Sequence, residues 1–413
     1  MRTLINRPEY LRRFMDNKDI DLVKIITGIR RCGKSAMLDI FRSKLLESGT
    51  AEENIIQINF ESLKYAELKN YEALYKYIAE RLIQGSRTYL LFDELQEVSG
   101  WEKAIESLRL DFDVDIYITG SNAHLLSTEF STLLSGRYVE IRILPLSFKE
   151  FIEFHNFRAD VSVDEKFQKY LQIGGMPILR QTGTDNVENA MSILEGIYST
   201  VVLRDILQRA EITDSSVLQK LVNFLCSNIG SITSPNSIGN ILRNEKNLPS
   251  KSSSSVAGKT VEKYLKLLQD AYFFYPVARY DVKGKQLLKT LQKHYIADIG
   301  FRNLLLGYRD ADRGHILENI VYIELLRRGY KVYVGKSEKN EIDFVAEKTD
   351  NKIYVQVAET IAAEETLERE FKPLISVNDN YEKIILSMDK SYLKAKDGIK
   401  LLNVIDWLLE TEK

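Results

Sequence analysis

The chain has 413 residues, 28% of them charged and 44% hydrophobic. That is an ordinary globular composition, with length for two to three domains, and it excludes a disordered or fibrous chain. Lys and Arg total 57 against 59 Asp and Glu, a formal charge of −2. This excludes a polybasic nucleic-acid binder as a whole, but not a local patch. Two distant cysteines, Cys32 and Cys226, make no disulfide framework and point to a reducing cytoplasm. No stretch reaches the ~18 apolar residues of a membrane span, and the N-terminus has no apolar signal core. A soluble, cytoplasmic protein without a membrane partner is expected.

Val23 to Thr27 is a short apolar run that reads as a strand. It breaks into Gly28-Ile29-Arg30-Arg31-Cys32-Gly33-Lys34-Ser35, which fits G-x-x-x-x-G-K-[ST] at every fixed position. From Ala36 to Leu46 the apolar residues Met37, Leu38, Phe41 and Leu45 recur at helical spacing. A loop between a strand and a helix is the setting this motif needs. Gly28 and Gly33 let the backbone approach a phosphate chain. The loop N–H groups and the helix N-terminus present positive charge to it. Residues 28–36, Ala36 included, are the candidate nucleotide-binding segment, with Lys34 on the β- and γ-phosphates and Ser35 on Mg²⁺.

Ile55 to Phe60 is a second strand, and Thr88 to Phe92 a third that ends in Asp93-Glu94. Asp93 would hold Mg²⁺ through water, and Glu94 would polarise the attacking water. The same two residues would also serve as an acidic helix cap. Asp115 to Gly120 is a fourth strand leading into Ser121-Asn122. Either side chain could orient water and sense the γ-phosphate, or simply cap a helix. Arg137 follows Leu133-Leu134-Ser135-Gly136, placed either to reach a neighbouring subunit's γ-phosphate or to sit on the surface. Val139 to Ile143 alternates and would close the sheet. Strands alternating with helices imply a parallel α/β sheet.

The set GIRRCGKS, LLFDELQEV, ITGSNAHLL, LLSGRY and LPLSFKEF resembles a family of prokaryotic AAA-type ATPases with a C-terminal domain of unknown function. The resemblance covers essentially the whole chain. It implies ATP and Mg²⁺ as ligands, Lys34 and Ser35 on nucleotide and metal, and Asp93 and Glu94 as the metal and water carboxylates. It also implies Asn122 as sensor and Arg137 as a candidate finger, which would act in a homo-oligomer. ATP over GTP follows from the resemblance and from the lack of an Asn-Lys-x-Asp signature.

Beyond the core at 1–150, residues 151–212 resemble the helical lid of the same family, with a stop and turn at Gly174-Gly175-Met176-Pro177. Arg204 or Arg209 could approach phosphate from there. Residues 213–298 read as three helices and a hairpin, a winged helix. Between Asn236 and Tyr295 there are 11 Lys and Arg against 4 Asp and Glu, net +7. Lys259, Lys263 and Lys266 fall near one face of the third helix, and Lys283-Gly284-Lys285 would be the wing tip. Duplex DNA is one partner for such a surface; a protein is the other.

In residues 299–413 a helix carries Glu318 and a strand carries Asp343, as in restriction-endonuclease-like nucleases. The third strand departs from that pattern, because Gln356 and Ala358 stand where Glu and Lys belong. The fold without cleavage is expected, unless a relocated Lys336 or Lys348 serves. The expected fold class is therefore α/β: a P-loop AAA-type sheet, a lid, a winged helix and a C-terminal α/β nuclease-like module.

Overall fold

The computed structural model describes residues 4–120, 136–207, 215–244, 258–337, 340–390 and 395–410. The chain divides into two compact units, Met1–Pro145 with Asp270–Tyr272, and Leu146–Gln269 with Phe273–Lys413.

In the first unit five strands, β1 (Val23–Thr27), β2 (Ile55–Asn59), β3 (Thr88–Asp93), β4 (Val114–Thr119) and β5 (Tyr138–Arg142), form one sheet in the order β2-β3-β4-β1-β5. Every pairing is parallel. Parallel neighbours require crossovers. These include α2 (Lys34–Glu47), α3 (Tyr71–Ala79) and α4 (Trp101–Asp111). All residues of β1 and β3 are buried; covered on both faces, such strands read as unbroken apolar runs rather than alternating ones. The α2 residues at helical spacing, Met37, Leu38, Phe41 and Leu45, are its buried side. On one side of the sheet Ile58, Leu74, Leu90, Phe92, Leu108 and Ile118 share a core. Elsewhere Phe14 of α1 (Pro8–Asp16) meets Phe41 and Tyr117, with ring centroids 5.3 and 5.7 Å apart.

One ion pair interrupts the apolar strands. Lys24 Nζ lies 2.5 Å from Asp115 Oδ1, with side chains 0% and 1% exposed, and also donates to Ile20 O at 2.6 Å. Burial pushes the ammonium down and the carboxyl up. Their mutual contact is what permits both to sit between β1 and β4.

In the second unit α5 (Phe148–His155) and α6 (Val163–Ile173) each open on a capping box, Ser147 with Glu150 and Ser162 with Glu165. Helix α6 stops at Gly174, whose φ is 75°. A Cβ there would lie 1.9 Å from Asp298 Oδ1, and one on Gly175 would lie 2.5 Å from Leu146 O. Close approach therefore dictates the Gly-Gly pair, and the Gly175 N–H donates to Asp298 Oδ2 at 2.6 Å. The 151–212 segment read as a lid is thus bound into the packing of the second unit.

Next come α7 (Val187–Tyr198), α8 (Ser215–Ser227), α9 (Pro235–Asn244), α10 (Gly258–Asp270) and the hairpin β6 (Phe274–Asp281) and β7 (Gln286–Ile296). The last three helices and the hairpin are the elements the sequence reading grouped as a winged helix. The hairpin, however, is not a free wing. Strand β6 pairs in parallel with β8 (Lys331–Ser337), Arg279 opposite Val334 through Asp281 opposite Lys336. It is thereby the margin of an eight-stranded sheet, in the order β12-β13-β11-β10-β9-β8-β6-β7. The remaining strands are β9 (Asn340–Glu347), β10 (Lys352–Val357), β11 (Glu382–Ser387), β12 (Ala395–Lys396) and β13 (Ile399–Asn403). Helix α11 (Ile299–Leu306) packs on α6 and α7, α12 (Arg313–Arg327) on β7 through β10, and α13 (Glu364–Ile375) on β9 through β11. Among the described residues no helix is long and apolar enough to cross a membrane.

Candidate functional site

The loop after β1 is shaped by backbone constraints. Gly28 has φ 136°, and a Cβ there would lie 2.1 Å from Ile143 O, so any side chain would push the loop off β5. Arg31 and Gly33 also take positive φ, 65° and 106°. These turns deliver Lys34 to the first position of α2. Its ammonium, on a residue only 4% exposed, donates to Gly28 O at 3.0 Å and Ile29 O at 3.2 Å. The cation therefore lies across the concave side of its own loop.

Ile29 and Cys32 are fully buried. Burial pushes the Cys32 thiol up, so it packs beneath the loop as an uncharged group. Arg30 pairs with Glu61 at 3.3 Å, Arg31 and Ser35 are exposed, and Ala36 is half-buried. Arg7 was missed by the sequence reading. The residue is 3% exposed, and its guanidinium donates to Cys32 O at 3.3 Å, Leu144 O at 3.0 Å and Pro145 O at 3.4 Å. It ties the phosphate-loop backbone to the chain leaving β5.

At the tip of β3 Asp93 is 3% exposed. Burial pushes its carboxyl up, against hydrogen bonds from Thr119 and Ser35 and the charge of Lys34. The Thr119 hydroxyl donates to Asp93 Oδ1 at 2.6 Å, and the Asn59 amide to Oδ2 at 2.8 Å. The Glu94 N–H then donates to the same Thr119 oxygen at 3.0 Å. Glu94 itself is held at φ 54°, and its carboxylate accepts from the Gln96 amide. So the acidic pair is positioned by the strands on either side, β2 through Asn59 and β4 through Thr119. Neither was singled out from the sequence. Asn59 stands directly opposite Asp93 in the β2–β3 register.

A buried carboxyl beside a hydroxyl at a helix start and an ammonium across a glycine cradle suits a phosphate chain with a divalent cation. Ser35 and Asp93 are the residues that would hold the metal. Arg137 is exposed, immediately before β5, and its carbonyl accepts from the Val23 N–H at 3.0 Å. Ser121, Asn122 and Arg209 lie outside the described residues, as does the Arg204 side chain.

A second polar centre lies in the other unit. Glu318 of α12 and Asp343 of β9, the two carboxylates singled out in the sequence, both lie beside Lys293 of β7. Lys293 Nζ lies 2.9 Å from Glu318 Oε1, 2.8 Å from Glu341 Oε1 and 3.8 Å from Asp343 Oδ1. Its side chain is 4% exposed, and the Tyr295 hydroxyl also donates to Glu318 Oε1, at 2.5 Å. The lysine is neither Lys336 nor Lys348; Lys348 instead sits over the Tyr330 ring at 4.2 Å.

Gln356 is not an idle replacement for a carboxylate. Its Oε1 accepts from the Asp343 N–H and its Nε2 donates to Glu370, both at 2.7 Å. A Glu there would set two carboxylates against each other. Burial, then Glu318, pushes the Asp343 carboxyl up to about 8. Against burial, Lys293 holds the Glu318 carboxyl down. Among the described residues no three His, Cys, Asp or Glu side chains converge as a metal site; in this centre the ammonium takes the middle position.

Five parallel strands with a glycine cradle, Lys34, a buried Asp93 and a half-buried Glu94 define a P-loop NTPase. Residues 21–152 match the family model of an AAA domain, and residues 164–312 that of a domain of unknown function. An uncharacterised protein of Haemophilus influenzae is 42% identical over 412 residues, 99% of this chain and 100% of its own length. An uncharacterised protein of Methanocaldococcus jannaschii is 30% identical, over 94% of this chain and 87% of its own. Among solved structures, a Walker-type ATPase of Pyrococcus abyssi aligns at TM-score 0.48 and 16% identity, over 73% of this chain and 95% of that one. The chain belongs to the family of AAA-type P-loop ATPases that carry this C-terminal domain of unknown function.

Proposed function

We propose that this protein is a Mg²⁺-dependent ATP hydrolase whose turnover is coupled to duplex DNA. The observation that carries the hydrolase is the Thr119 bridge, which fixes Asp93 and Glu94 relative to each other beside Lys34. Lys34 exchanges the Gly28 and Ile29 carbonyls for β- and γ-phosphate oxygens, while the loop N–H groups take the rest of the chain. Ser35 and Asp93 would hold a magnesium ion, whose charge would offset what develops on the phosphoryl oxygens in the transition state. Glu94 accepts the proton of the water that attacks in line. Asn122 senses the γ-phosphate, and exposed Arg137 reaches the γ-phosphate of a neighbouring subunit in a homo-oligomer. The cytoplasm suits the chain, because Cys32 and Cys226 are both unbridged and buried.

The test is ATP turnover with and without duplex DNA, in wild type and Glu94→Gln. Turnover that rises with DNA and falls at least ~100-fold in the variant is expected, since a positioned base contributes about that much or more. Tight ATP binding with negligible turnover under every condition would instead make the protein a nucleotide-gated switch. The nuclease-like centre works without cleavage, because Lys293 is engaged by three carboxylates and Gln356 by Glu370. Plasmid incubated with the protein and magnesium stays intact; cutting that Asp343→Ala abolishes would overturn that and make the protein an ATP-gated nuclease.

A further inference from the structure

Within the second unit a cavity of about 720 Å³ opens between the start of α9, the side of α10 and strand β7. Its walls carry a charge imbalance. Lys259, Lys263 and Lys266 of α10 line it, with Glu262 the one carboxylate among the described lining residues. All four side chains belong to exposed residues. The N-terminus of the ten-residue helix α9 opens on the same space through Ser234, Pro235 and Asn236, and that end of a helix favours anions.

The opposite wall supplies an independent sign of a missing ligand. His294 lines the cavity, is 3% exposed, and its Nε2 has no hydrogen-bond partner among the described residues. Buried polar atoms are nearly always paired, so an orphan at a cavity wall points to an outside partner. Its Nδ1 is 3.3 Å from the Thr233 hydroxyl. Burial holds the ring's pKa down at about 4, so the imidazole is neutral at pH 7. A neutral ring carries one proton. In the tautomer with the proton on Nε2, the Thr233 hydroxyl donates to Nδ1 instead of to Gln292 O at 3.4 Å, and Nε2 is a donor.

We propose that this cavity is a phosphate-binding subsite for a nucleic-acid backbone, with Lys259, Lys263 and Lys266 on successive phosphates and His294 Nε2–H with the α9 N-terminus on one of them. This rests on the DNA-coupled reading above and gives it a place and a ligand group. The lysine row argues for a strand rather than a lone phosphate. Seven residues of helix rise about 10 Å, which spans about three phosphates at ~3.4 Å of axis each. Lysine ammonium groups and a helix N-terminus contact phosphates rather than base edges, so binding through them is expected to be indifferent to sequence.

The experiment is fluorescence anisotropy of the full chain with a labelled duplex of about 20 base pairs, titrated at several salt concentrations. The triple variant Lys259→Gln/Lys263→Gln/Lys266→Gln changes only exposed side chains, and thermal melting checks that it folds. Losing three phosphate contacts is expected to weaken binding at least ~10-fold at low salt and to lower the log–log salt slope by about 3. His294→Phe keeps a ring of similar shape without the donor and is expected to weaken binding several-fold at an unchanged salt slope.

Wild type that binds duplex while the triple variant binds equally well would overturn the subsite and leave DNA binding standing. Wild type that binds no duplex even at low salt would overturn both. Inorganic phosphate that raises the melting temperature of wild type, but not of the triple variant, in a protein that binds no duplex would reassign the cavity to a small phosphorylated ligand. Basal ATP turnover without DNA on the same preparations tests the hydrolase reading separately from all three outcomes.

Discussion

Thr119 shows how much one hydroxyl carries in the nucleotide site. It donates to Asp93 Oδ1 at 2.6 Å and accepts the Glu94 N–H at 3.0 Å, in a residue with no exposed surface. Thr119→Val keeps the shape and removes both bonds. It takes one hydrogen bond from a buried carboxylate and another from the Glu94 N–H, which costs about 1–3 kcal/mol. Urea denaturation should show that loss, and ATP turnover should fall with it, because the acidic pair loses its common anchor. Full turnover in a destabilised variant would reduce Thr119 to a structural role. The neighbours Asn59 and Thr119 also show why part of this site was not legible beforehand. Gly28 to Ser35 and Asp93-Glu94 are contiguous, so their chemistry is written in order along the chain. Asn59 reaches Asp93 only through the β2–β3 register, 34 residues away, and no local pattern announces which strands become neighbours.

The hairpin β6–β7 makes the same point for whole elements. Its two strands and turn are visible in the sequence: an apolar run, Lys283-Gly284-Lys285, then a second run. The turn forms as an Asx turn, Asp281 Oδ1 accepting the N–H groups of Lys283 and Gly284 at 3.1 and 3.0 Å. Its parallel pairing to β8 is a long-range event, and it brings Lys293 to a centre whose other members come 25 to 50 residues later. The arrangement has a consequence for pH. The ordinary Asp value is 3.8, and Asp343 in the fold is pushed up to about 8, by burial and then by Glu318. Between these values the folded chain holds the proton more tightly than the unfolded one. The Asp343 contribution to stability is therefore full below pH 4 and disappears as pH rises through 8. Asp343→Asn is neutral throughout and still accepts the Val357 N–H that Oδ2 takes at 2.9 Å. Denaturation midpoints measured from pH 5 to 8 should fall more steeply in wild type than in Asp343→Asn. Parallel curves would mean that Asp343 is ionised in the fold across this range.

At the scale of the molecule, two compact units share one chain that passes between them three times, after Pro145, after Gln269 and after Tyr272. The return at 270–272 is anchored in the first unit: the Tyr272 hydroxyl donates to Glu140 Oε1 at 3.4 Å, and the Arg142 guanidinium lies 5.4 Å over its ring. Composition and length announced more than one domain, but not that three residues between α10 and β6 belong to the first. A ligand that binds only the folded state stabilises it by about 2.7 kcal/mol at a hundredfold excess over Kd. The described residues of the candidate nucleotide site belong to the first unit, so that stabilisation acts there directly. Hydrogen exchange with saturating ADP and magnesium should therefore slow the amides of 28–36 and of β1, β3 and β4 most strongly. Residues 270–272 should slow with them, although their neighbours in sequence on both sides belong to the other unit. Protection confined to 28–36 would mean that the loop closes locally without stabilising the sheet. Equal protection of α8 to α10 and of the eight-stranded sheet would mean that both units open together, and that nucleotide occupancy is felt by the whole chain.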